Sequence, residues 1–378
     1  MRFEEFKSGA WEEQYQYKSF LPVPVNREWI WQDPRINVLL EDATRALGEL
    51  NAYTRIVPDV DLYIKMHIAL EANTSSGIEG TNTTIDEAVM DERCILPEHR
   101  DDWREVRNYV NAMNNALERL ATLPLSMRLL RDTHEILLKG TRGEHKSPGE
   151  FRKSQNWIGG ASLSDAAFIP PHHTVIDDLL SDLEKFWHNE SIHVPHLVRI
   201  AISHYQFETI HPFLDGNGRI GRLLIPLYLI SNKLLDKPSL YLSDYLFKNR
   251  GIYYDSLTRV RESNDIGQWV RFFLTAVVET AGKGRNTFES ILKLRQEMDQ
   301  FVVSLGRRAE DARNLMLLLY SKPVIDVRSV QEGLEISYER ANRLIASFSE
   351  NNIISQFPDR QRDRIFTFRR YLSLFGEK

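Results

Sequence analysis

Apolar residues recur at steps of three and four along most of the chain, which places them on one face of successive helices. The first predicted helix is marked by an apolar stripe of Ile36, Leu39, Leu40, Ala43, Leu47 and Leu50. A second helix is predicted from about Asp61 to Ser75, ending near Gly77 and Gly80, because glycine favours helix ends. Further helical patterns lie at 101–121, 124–140, 175–189, 195–209, 218–232 and 265–304. The chain is therefore predicted to be mainly α-helical.

The stretch from Thr141 to Pro171 breaks this pattern. It contains four glycines and three prolines, with two short apolar pieces at 156–158 and 167–169. This composition predicts a small β-hairpin within a long loop. Loops of this length are uncommon inside helical domains, and those that occur are often functional.

The tail of the chain has a different order of elements. Three short helices followed by a two-stranded wing are typical of a winged helix-turn-helix domain. Residues 306–378 carry 13 Lys and Arg against 10 Asp and Glu, so this part has a net charge of +3. The predicted elements are helices at 314–320, 327–333 and 337–351 and strands at 353–357 and 364–368, joined by a turn at 358–363.

The composition narrows the class of protein. The 378 residues carry a net charge of −5, so no global attraction to nucleic acid or to an anionic membrane is expected. The single cysteine, Cys94, excludes an intrachain disulfide and fits a reducing compartment. The longest apolar run, 223–230, is too short to span a bilayer, and no secretory signal is visible. A cytoplasmic protein with no membrane partner is expected.

The segment from His211 to Arg222 holds the most informative chemistry. It reads His-Pro-Phe-Leu-Asp-Gly-Asn-Gly-Arg-Ile-Gly-Arg and lies between two predicted helices. The turn 216–218 leads into a helix N-terminus, where unpaired backbone N–H groups bind phosphate. Two arginines, Arg219 and Arg222, lie three residues apart in the first turn of that helix, and their forks suit phosphate oxygens.

Two further residues complete a set suited to phosphoryl-centre transfer. Asp215 offers the hard oxygen ligand that Mg²⁺ on nucleotide phosphates requires. His211, with an ordinary pKa of about 6.5, suits a general base. Each feature alone is common in turns and helix ends. Their combination within twelve residues is what indicates an enzyme.

The segment matches every defined position of His-x-Phe-x-Asp-Gly-Asn-Gly-Arg-x-x-Arg, the signature of Fic-domain proteins. The resemblance extends over about 35–290 and includes 241–243 and 251–254. It implies an all-α fold with a small β-hairpin flap, which joins a C-terminal winged helix in this chain. It also implies transfer of AMP from ATP, with Mg²⁺, to Tyr, Thr or Ser hydroxyls of proteins, the chain itself included.

The resemblance also assigns roles to residues of this chain. His211 would deprotonate the hydroxyl, Asp215 would hold Mg²⁺, and the flap at about 156–169 would hold the target segment as an added strand. Phe168 and Tyr254 are our candidates for walls of the nucleotide pocket. The expected nucleotide-binding set is Gly216, Asn217, Gly218, Arg219, Ile220, Gly221, Arg222, Phe168 and Tyr254.

A second family pattern, (Ser/Thr)-x-x-x-Glu-(Gly/Asn), matches Ser75 to Gly80. In Fic proteins this motif is inhibitory, and its position before the core marks the self-inhibited class. The Glu79 carboxylate is expected to pair with Arg222 and so to withhold the arginine that would bind the γ-phosphate. ATP would then bind with its α-phosphate turned away from attack.

Three alternatives stay open. The site could remove AMP from modified proteins, or it could use another donor such as a UMP or phosphocholine carrier. The chain could instead be a DNA-binding regulator, although +3 is a modest charge for that role. The residues that would contact DNA are Tyr338, Arg340, Asn342 and Arg343 on the recognition helix and Arg360, Arg362 and Arg364 at the wing.

The expected domain division follows from these patterns. An N-terminal helical region, 1–110, contains the inhibitory helix at about 61–80 and precedes a Fic core at 111–290. A connecting helix, 291–305, then leads to the winged-helix domain at 306–378. The expected partners are ATP and a protein with an exposed hydroxyl, while a homodimer and DNA stay open.

Overall fold

A computed structural model describes residues 1–357 and 364–376. The helices of the first two thirds are α1 Pro34–Ile56, α2 Val60–Ile78, α3 Ile85–Val89, α4 Arg100–Leu120, α5 Met127–Leu138, α6 Ile176–His188, α7 His196–Ile210, α8 Asn217–Ser231, α9 Ser243–Lys248 and α10 Arg250–Ser263. The remaining helices are α11 Ile266–Ser304, α12 Ala309–Ser321, α13 Val327–Leu334, α14 Tyr338–Glu350 and α15 Arg369–Leu372.

Two small antiparallel sheets accompany the helices. Strands β1 (Gly9–Glu13) and β2 (Lys18–Pro22) form an N-terminal hairpin in which Trp11 lies opposite Phe20. A second sheet has the order β3-β5-β4. Its strands are β3 Val324–Asp326, β4 Ser355–Gln356 and β5 Ile365–Thr367.

The centre of the molecule is α7. Every residue from Leu197 to Ile210 is buried, as expected for a helix covered on all sides. Helix α8 packs beside it, and α11 runs along both α1 and α7. With 39 residues, α11 is about 58 Å long and ends at Ser304, five residues before α12 begins at Ala309. The predicted connecting helix, 291–305, is thus the last part of α11.

The predicted mainly α-helical fold is confirmed, and the helices predicted from periodicity lie within a few residues of those observed. Helix α2 ends at Ile78 with Glu79 as its C-cap, which agrees with the predicted end near Gly77 and Gly80. Helices α9 and α10 were not predicted, nor was the N-terminal hairpin. In β1 the four residues after Gly9 are all exposed, so no alternating pattern marks the strand.

The predicted hairpin at 156–169, which we call the flap, is smaller than expected. Its two sides meet at one antiparallel bridge between Ile158 and Phe168, whose backbone hydrogen bonds are 2.9 and 3.1 Å long. Gly159 and Gly160 follow with φ of 70° and 74°, which non-glycine residues rarely adopt. These glycines turn the chain away before longer strands form.

The C-terminal part contains the helices and strands that the winged-helix prediction requires, with β3 in addition. That domain type remains a prediction, and the predicted turn at 358–363, with Arg360 and Arg362, lies outside the described residues. Two of the candidate DNA-binding arginines are engaged within the chain. Arg340 binds Asp311 through two bonds of 2.7 and 2.8 Å, and Arg364 donates to the Asn342 side chain.

The C-terminal part packs directly on α2. The Tyr63 ring of α2 lies 5.3 Å from the Tyr320 ring and 6.1 Å from the Tyr371 ring. Further along α2, the His67 ring lies 5.0 Å from that of Phe375. Among the described residues, no helix has the length and apolarity that crossing a membrane would need.

Candidate active site

The turn between α7 and α8 is fixed by its own side chains. His211 caps α7 in the left-handed conformation, with φ of 50°, and Gly216 precedes α8 with φ of 76°. The Asn217 side chain accepts from the Phe213 N–H and donates to the Phe213 carbonyl, both at 2.8 Å. The turn is thereby closed on itself, and the N-terminus of α8 is presented as a rigid anion cradle.

A cavity of about 530 Å³ opens over this turn. It brings together residues that are up to 182 positions apart in the chain, from Glu79 to Arg261. Nine of the predicted site residues line it, namely Glu79, Phe168, His211, Asp215, Gly216, Asn217, Gly218, Arg222 and Tyr254. The cavity is also lined by Trp157 and Ile158 of the flap.

Three predicted nucleotide-binding residues do not line the cavity: Arg219, Ile220 and Gly221. The buried Arg219 guanidinium is directed to Glu105 of α4, at 3.1 Å, which also accepts from Arg142. Ile220 is fully buried. Gly221 allows α7 and α8 to approach, because a Cβ there would lie 2.2 Å from the Glu208 carboxylate.

Arg222 is held by the last turn of α2. Its Nη2 lies 2.6 Å from Glu79 Oε1 and 3.0 Å from the Ser75 carbonyl, and its Nε donates to Ser75 Oγ at 2.8 Å. Burial opposes ionisation of Glu79, but the Arg222 charge outweighs it and lowers the pKa of that carboxyl. The pair joins two motifs 143 residues apart, as the sequence predicts.

The Glu79 carboxylate also lies over the anion cradle. A Cβ on Gly218 would be 2.3 Å from Glu79 Oε1 and 2.9 Å from an Arg222 nitrogen. The first turn of α8 is therefore covered by a carboxylate that pairs with the cavity's buried arginine. An anion that needs this arginine has to displace Glu79.

Asp215 is suited to a single-carboxylate magnesium site. Its side chain is 43% exposed at the cavity, and one oxygen accepts from the Gly216 N–H at 2.6 Å. Among the described residues no group of three or more His, Cys, Asp or Glu side chains could hold a metal. Mg²⁺ is commonly held by one or two carboxylates together with substrate phosphates, so this donor set fits the ion.

His211 is held in the neutral form. Burial and then the nearby Arg261 charge lower the pKa of its imidazole to about 4. The neighbouring Glu208 behaves oppositely, because burial raises the pKa of its carboxyl to about 7. At neutral pH the cavity therefore contains an uncharged imidazole that can accept a proton.

The flap is tied to the turn that carries His211. The Asn156 amide donates to the His211 carbonyl at 3.1 Å and to the Phe213 carbonyl at 2.8 Å. The Arg152 guanidinium donates to the same His211 carbonyl at 3.0 Å. A shift of the flap therefore also moves the backbone of His211.

Several residues of the site were missed from the sequence. Ser75 occupies the first position of the inhibitory pattern, so the pattern itself could have identified it. Glu105, Glu208, Arg250 and Arg261 carry no local signal. Glu208 lies three residues before His211 in α7, whereas the other three come near the motif through long-range packing of α4 and α10, which periodicity does not reveal.

Comparison with known families identifies two domains. Residues 38–118 match the Fic/DOC family N-terminal model, and residues 124–229 match the Fic/DOC family model. A probable protein adenylyltransferase of Aquifex aeolicus is 33% identical over 161 residues, which are 43% of this chain and 42% of the relative. A protein adenylyltransferase Fic of Culex quinquefasciatus is 35% identical over 133 residues, 35% of this chain and 24% of the relative.

Solved structures share the fold. A Fic family protein from Desulfovibrio desulfuricans has 20% sequence identity to this chain and a TM-score of 0.58. The superposition covers 90% of this chain and 98% of that protein. A Fic domain containing signaling protein from Bacteroides thetaiotaomicron has 17% identity and a TM-score of 0.51, and the superposition covers 68% of this chain and 97% of that protein. This chain spans less than half the length of the two curated relatives. It carries the Fic N-terminal and Fic domains.

Proposed function

We propose that this Fic-domain chain transfers AMP from ATP to a hydroxyl side chain of a protein and inhibits itself through Glu79. The observation that carries the proposal is the convergence of His211, Asp215, the 216–218 cradle and Arg222 on one cavity. The names of the curated relatives support this activity over other uses of the fold.

The geometry suggests how each residue acts. The target hydroxyl gives its proton to the neutral His211 imidazole as its oxygen attacks the α-phosphorus of ATP. An oxygen–phosphorus bond to the target forms, the bond between the α-phosphorus and the bridging oxygen breaks, and pyrophosphate leaves. Backbone N–H groups of the cradle and the Arg222 guanidinium stabilise the charge that develops on the phosphates.

Asp215 would hold Mg²⁺ against the phosphates, where the ion neutralises their charge. Phe168 and Tyr254 are proposed as walls for the nucleotide, because both rings line the cavity. Arg219 stabilises the turn and does not bind the substrate, since its guanidinium binds Glu105 and lies 3.7 Å from the Asp215 carboxylate.

The brake rests on competition for Arg222. In the inhibited state this buried arginine is bound by Glu79 and Ser75, so it is withheld from the γ-phosphate. Charge-assisted hydrogen bonds are worth roughly 1.5–3 kcal/mol, which corresponds to about a 10- to 100-fold shift in population. Release of Glu79 should therefore be sufficient to expose an active cavity.

Incubation with ATP labelled at the α- or the γ-phosphate tests the proposal. We expect Glu79→Gly to transfer the α-label to protein, more than the wild type does, while the γ-label is not transferred. His211→Ala on the same background is the control and should bind ATP without labelling. Transfer of the γ-label would indicate a kinase, and equal labelling by wild type and Glu79→Gly would remove Glu79 as a brake.

The domain division 1–110, 111–290, 291–305 and 306–378 is retained as a proposal. One qualification comes from α11, which runs from Ile266 to Ser304 without interruption, so the core and the connecting helix form one rigid element. The winged-helix assignment of the last part is likewise proposed from the order of its elements.

A further inference from the structure

The N-terminal hairpin, β1 and β2, lies before both matched domains and has no role in the chemistry proposed above. It nevertheless contacts the flap. The Phe20 N–H of β2 donates to the Ile169 carbonyl at 3.0 Å, which places β2 along one edge of the flap. The hairpin and the flap are therefore linked through the backbone.

An aromatic cluster reinforces the link. The Trp11 ring lies 5.3 Å from the Phe20 ring and 5.9 Å from the Phe168 ring, both in edge-to-face geometry. Phe20 and Phe168 are 5.7 Å apart, and the Arg261 guanidinium lies 3.9 Å from the Phe168 ring centre. Because Phe168 lines the cavity with His211, this cluster extends from the hairpin to the catalytic residues.

The hairpin is fixed at both ends. Before β1, the Ser8 N–H donates to Asn264 Oδ1 at 2.7 Å, and Ser8 Oγ donates to the Arg261 carbonyl at 3.1 Å. After β2, the Gln206 amide of α7 donates to the Val23 carbonyl at 3.0 Å. The hairpin is thus anchored to α7 and to the end of α10, and it can act as a fixed support.

One edge of the flap stays open. The backbone N–H and C=O of Trp157 make no hydrogen bond within the described part of the chain. Since β2 already pairs with the edge of the flap that contains Ile169, an extended segment can pair only with the opposite edge, which contains Trp157. Trp157 at this open edge is 39% exposed, and partly exposed tryptophans are favoured at protein interfaces.

We propose that the N-terminal hairpin supports the acceptor-binding surface: through Phe20 and Trp11 it holds the flap in place, so that the open Trp157 edge can pair with an extended segment of the protein that receives AMP. Trp11 acts on that segment through the flap, because β2 lies between β1 and the flap. This inference rests on the proposed function for the identity of the occupant. The support of the flap by the hairpin rests on the contacts alone.

Hydrogen exchange measured by mass spectrometry tests the support of the flap without any enzymatic activity. Trp11→Ala should accelerate exchange of the Ile158 and Phe168 amides by about tenfold, because two aromatic contacts are lost. Tyr15→Ala is the matched control, since Tyr15 lies in the same hairpin and is 97% exposed. Unchanged exchange in Trp11→Ala, or equal acceleration in Tyr15→Ala, would overturn the role of the hairpin.

Kinetics on the Glu79→Gly background test the effect of the hairpin on acceptor binding. The acceptors are a tagged His211→Ala copy of the chain and, for comparison, N-acetyltyrosinamide. Trp11→Ala should raise KM for the protein acceptor roughly five- to tenfold, because the flap that pairs with the acceptor is loosened, and should raise KM for ATP less. Equal KM values for the protein acceptor in Trp11→Ala and in its Glu79→Gly parent would overturn the role of the hairpin in acceptor binding. Absence of AMP transfer in every variant would overturn the acceptor role together with the proposed function, whereas the exchange result would still decide the support of the flap.

Discussion

His211 combines an uncommon backbone conformation with a lowered imidazole pKa. Its left-handed conformation, with φ of 50°, is uncommon for a residue with a side chain and ends α7 at the cavity. Burial and the Arg261 charge keep its imidazole neutral by lowering the pKa to about 4. A base must be unprotonated to act, so this environment extends its useful range toward acid.

The pH dependence of AMP transfer follows from this shift. Protonation below the pKa removes the base, so the rate should stay constant as pH falls through 6.5, where an ordinary histidine titrates, and decline only toward about 4. The rate of Glu79→Gly should be measured across this range. Glu208, with a pKa raised to about 7, faces the same cavity and is expected to add a second transition near that pH. Glu208→Gln should remove any transition near 7 and keep the one near 4, and a base titrating near 6.5 in that variant would contradict the assignment.

At the scale of elements, the proposed brake is formed by the last turn of α2 and the first two turns of α8. Glu79 binds Arg222 through its carboxylate, whereas Ser75 binds the same guanidinium through both its hydroxyl and its carbonyl. Helical geometry explains the pairing, because residues four apart lie on one face of α2. The spacing of the inhibitory pattern is thus the spacing of two contacts to one arginine.

Ser75→Ala should release the brake in part. It removes one neutral-to-charged hydrogen bond of 2.8 Å and leaves the Glu79 pair and the carbonyl contact intact. A loss of about 1.5 kcal/mol, the lower end for a hydrogen bond to a charged group, predicts a rise in AMP transfer of roughly tenfold, at the lower end of the rise expected for Glu79→Gly. Ser76→Ala is the matched control, since Ser76 is buried beside it and its hydroxyl has no partner among the described residues. A similar rise in both variants would point to a general loosening of α2.

The double variant Glu79→Gly with Arg222→Ala tests the partner itself. Removing the carboxylate activates the enzyme only if Arg222 becomes free to bind phosphate. We therefore expect the double variant to be far less active than Glu79→Gly alone when AMP transfer is measured at saturating ATP. Equal activity would show that Glu79 inhibits through another residue.

The elements also show what the sequence can predict. Periodicity identified α1, α2, α7, α8 and α11, because each buries a continuous apolar stripe or is apolar all round. The motif at 211–222 identified the turn and its residues because the turn glycines, the helix caps and the charged side chains all lie within twelve consecutive positions. The position of Arg219 could not be predicted in this way, since its partner Glu105 is 114 residues distant. The N-terminal hairpin was missed because its first strand is exposed, and its contact with the flap exists only in the folded chain.

At the scale of the molecule, α2, the proposed inhibitory helix, is held at both ends. Its last turn binds Arg222 in the cavity, and its first turns pack against the C-terminal part through Tyr63 and His67. Since α2 is one rigid helix of 19 residues, loosening its far end should weaken the grip of Glu79. The C-terminal part is thereby connected physically to the activity of the cavity.

Tyr371→Ala tests this connection. Tyr371 is fully buried, and its ring lies 5.4 Å from Tyr320 and 6.1 Å from Tyr63, so truncation leaves a cavity and costs about 3–5 kcal/mol of local packing. We expect a lower melting temperature and increased AMP transfer relative to the wild type. Tyr338→Ala, at a position 51% exposed in the same part of the chain, should change neither quantity. On the Glu79→Gly background Tyr371→Ala should give no further increase, because the brake is already absent. An increase of the same size on both backgrounds would show that the C-terminal part affects catalysis by a route other than α2.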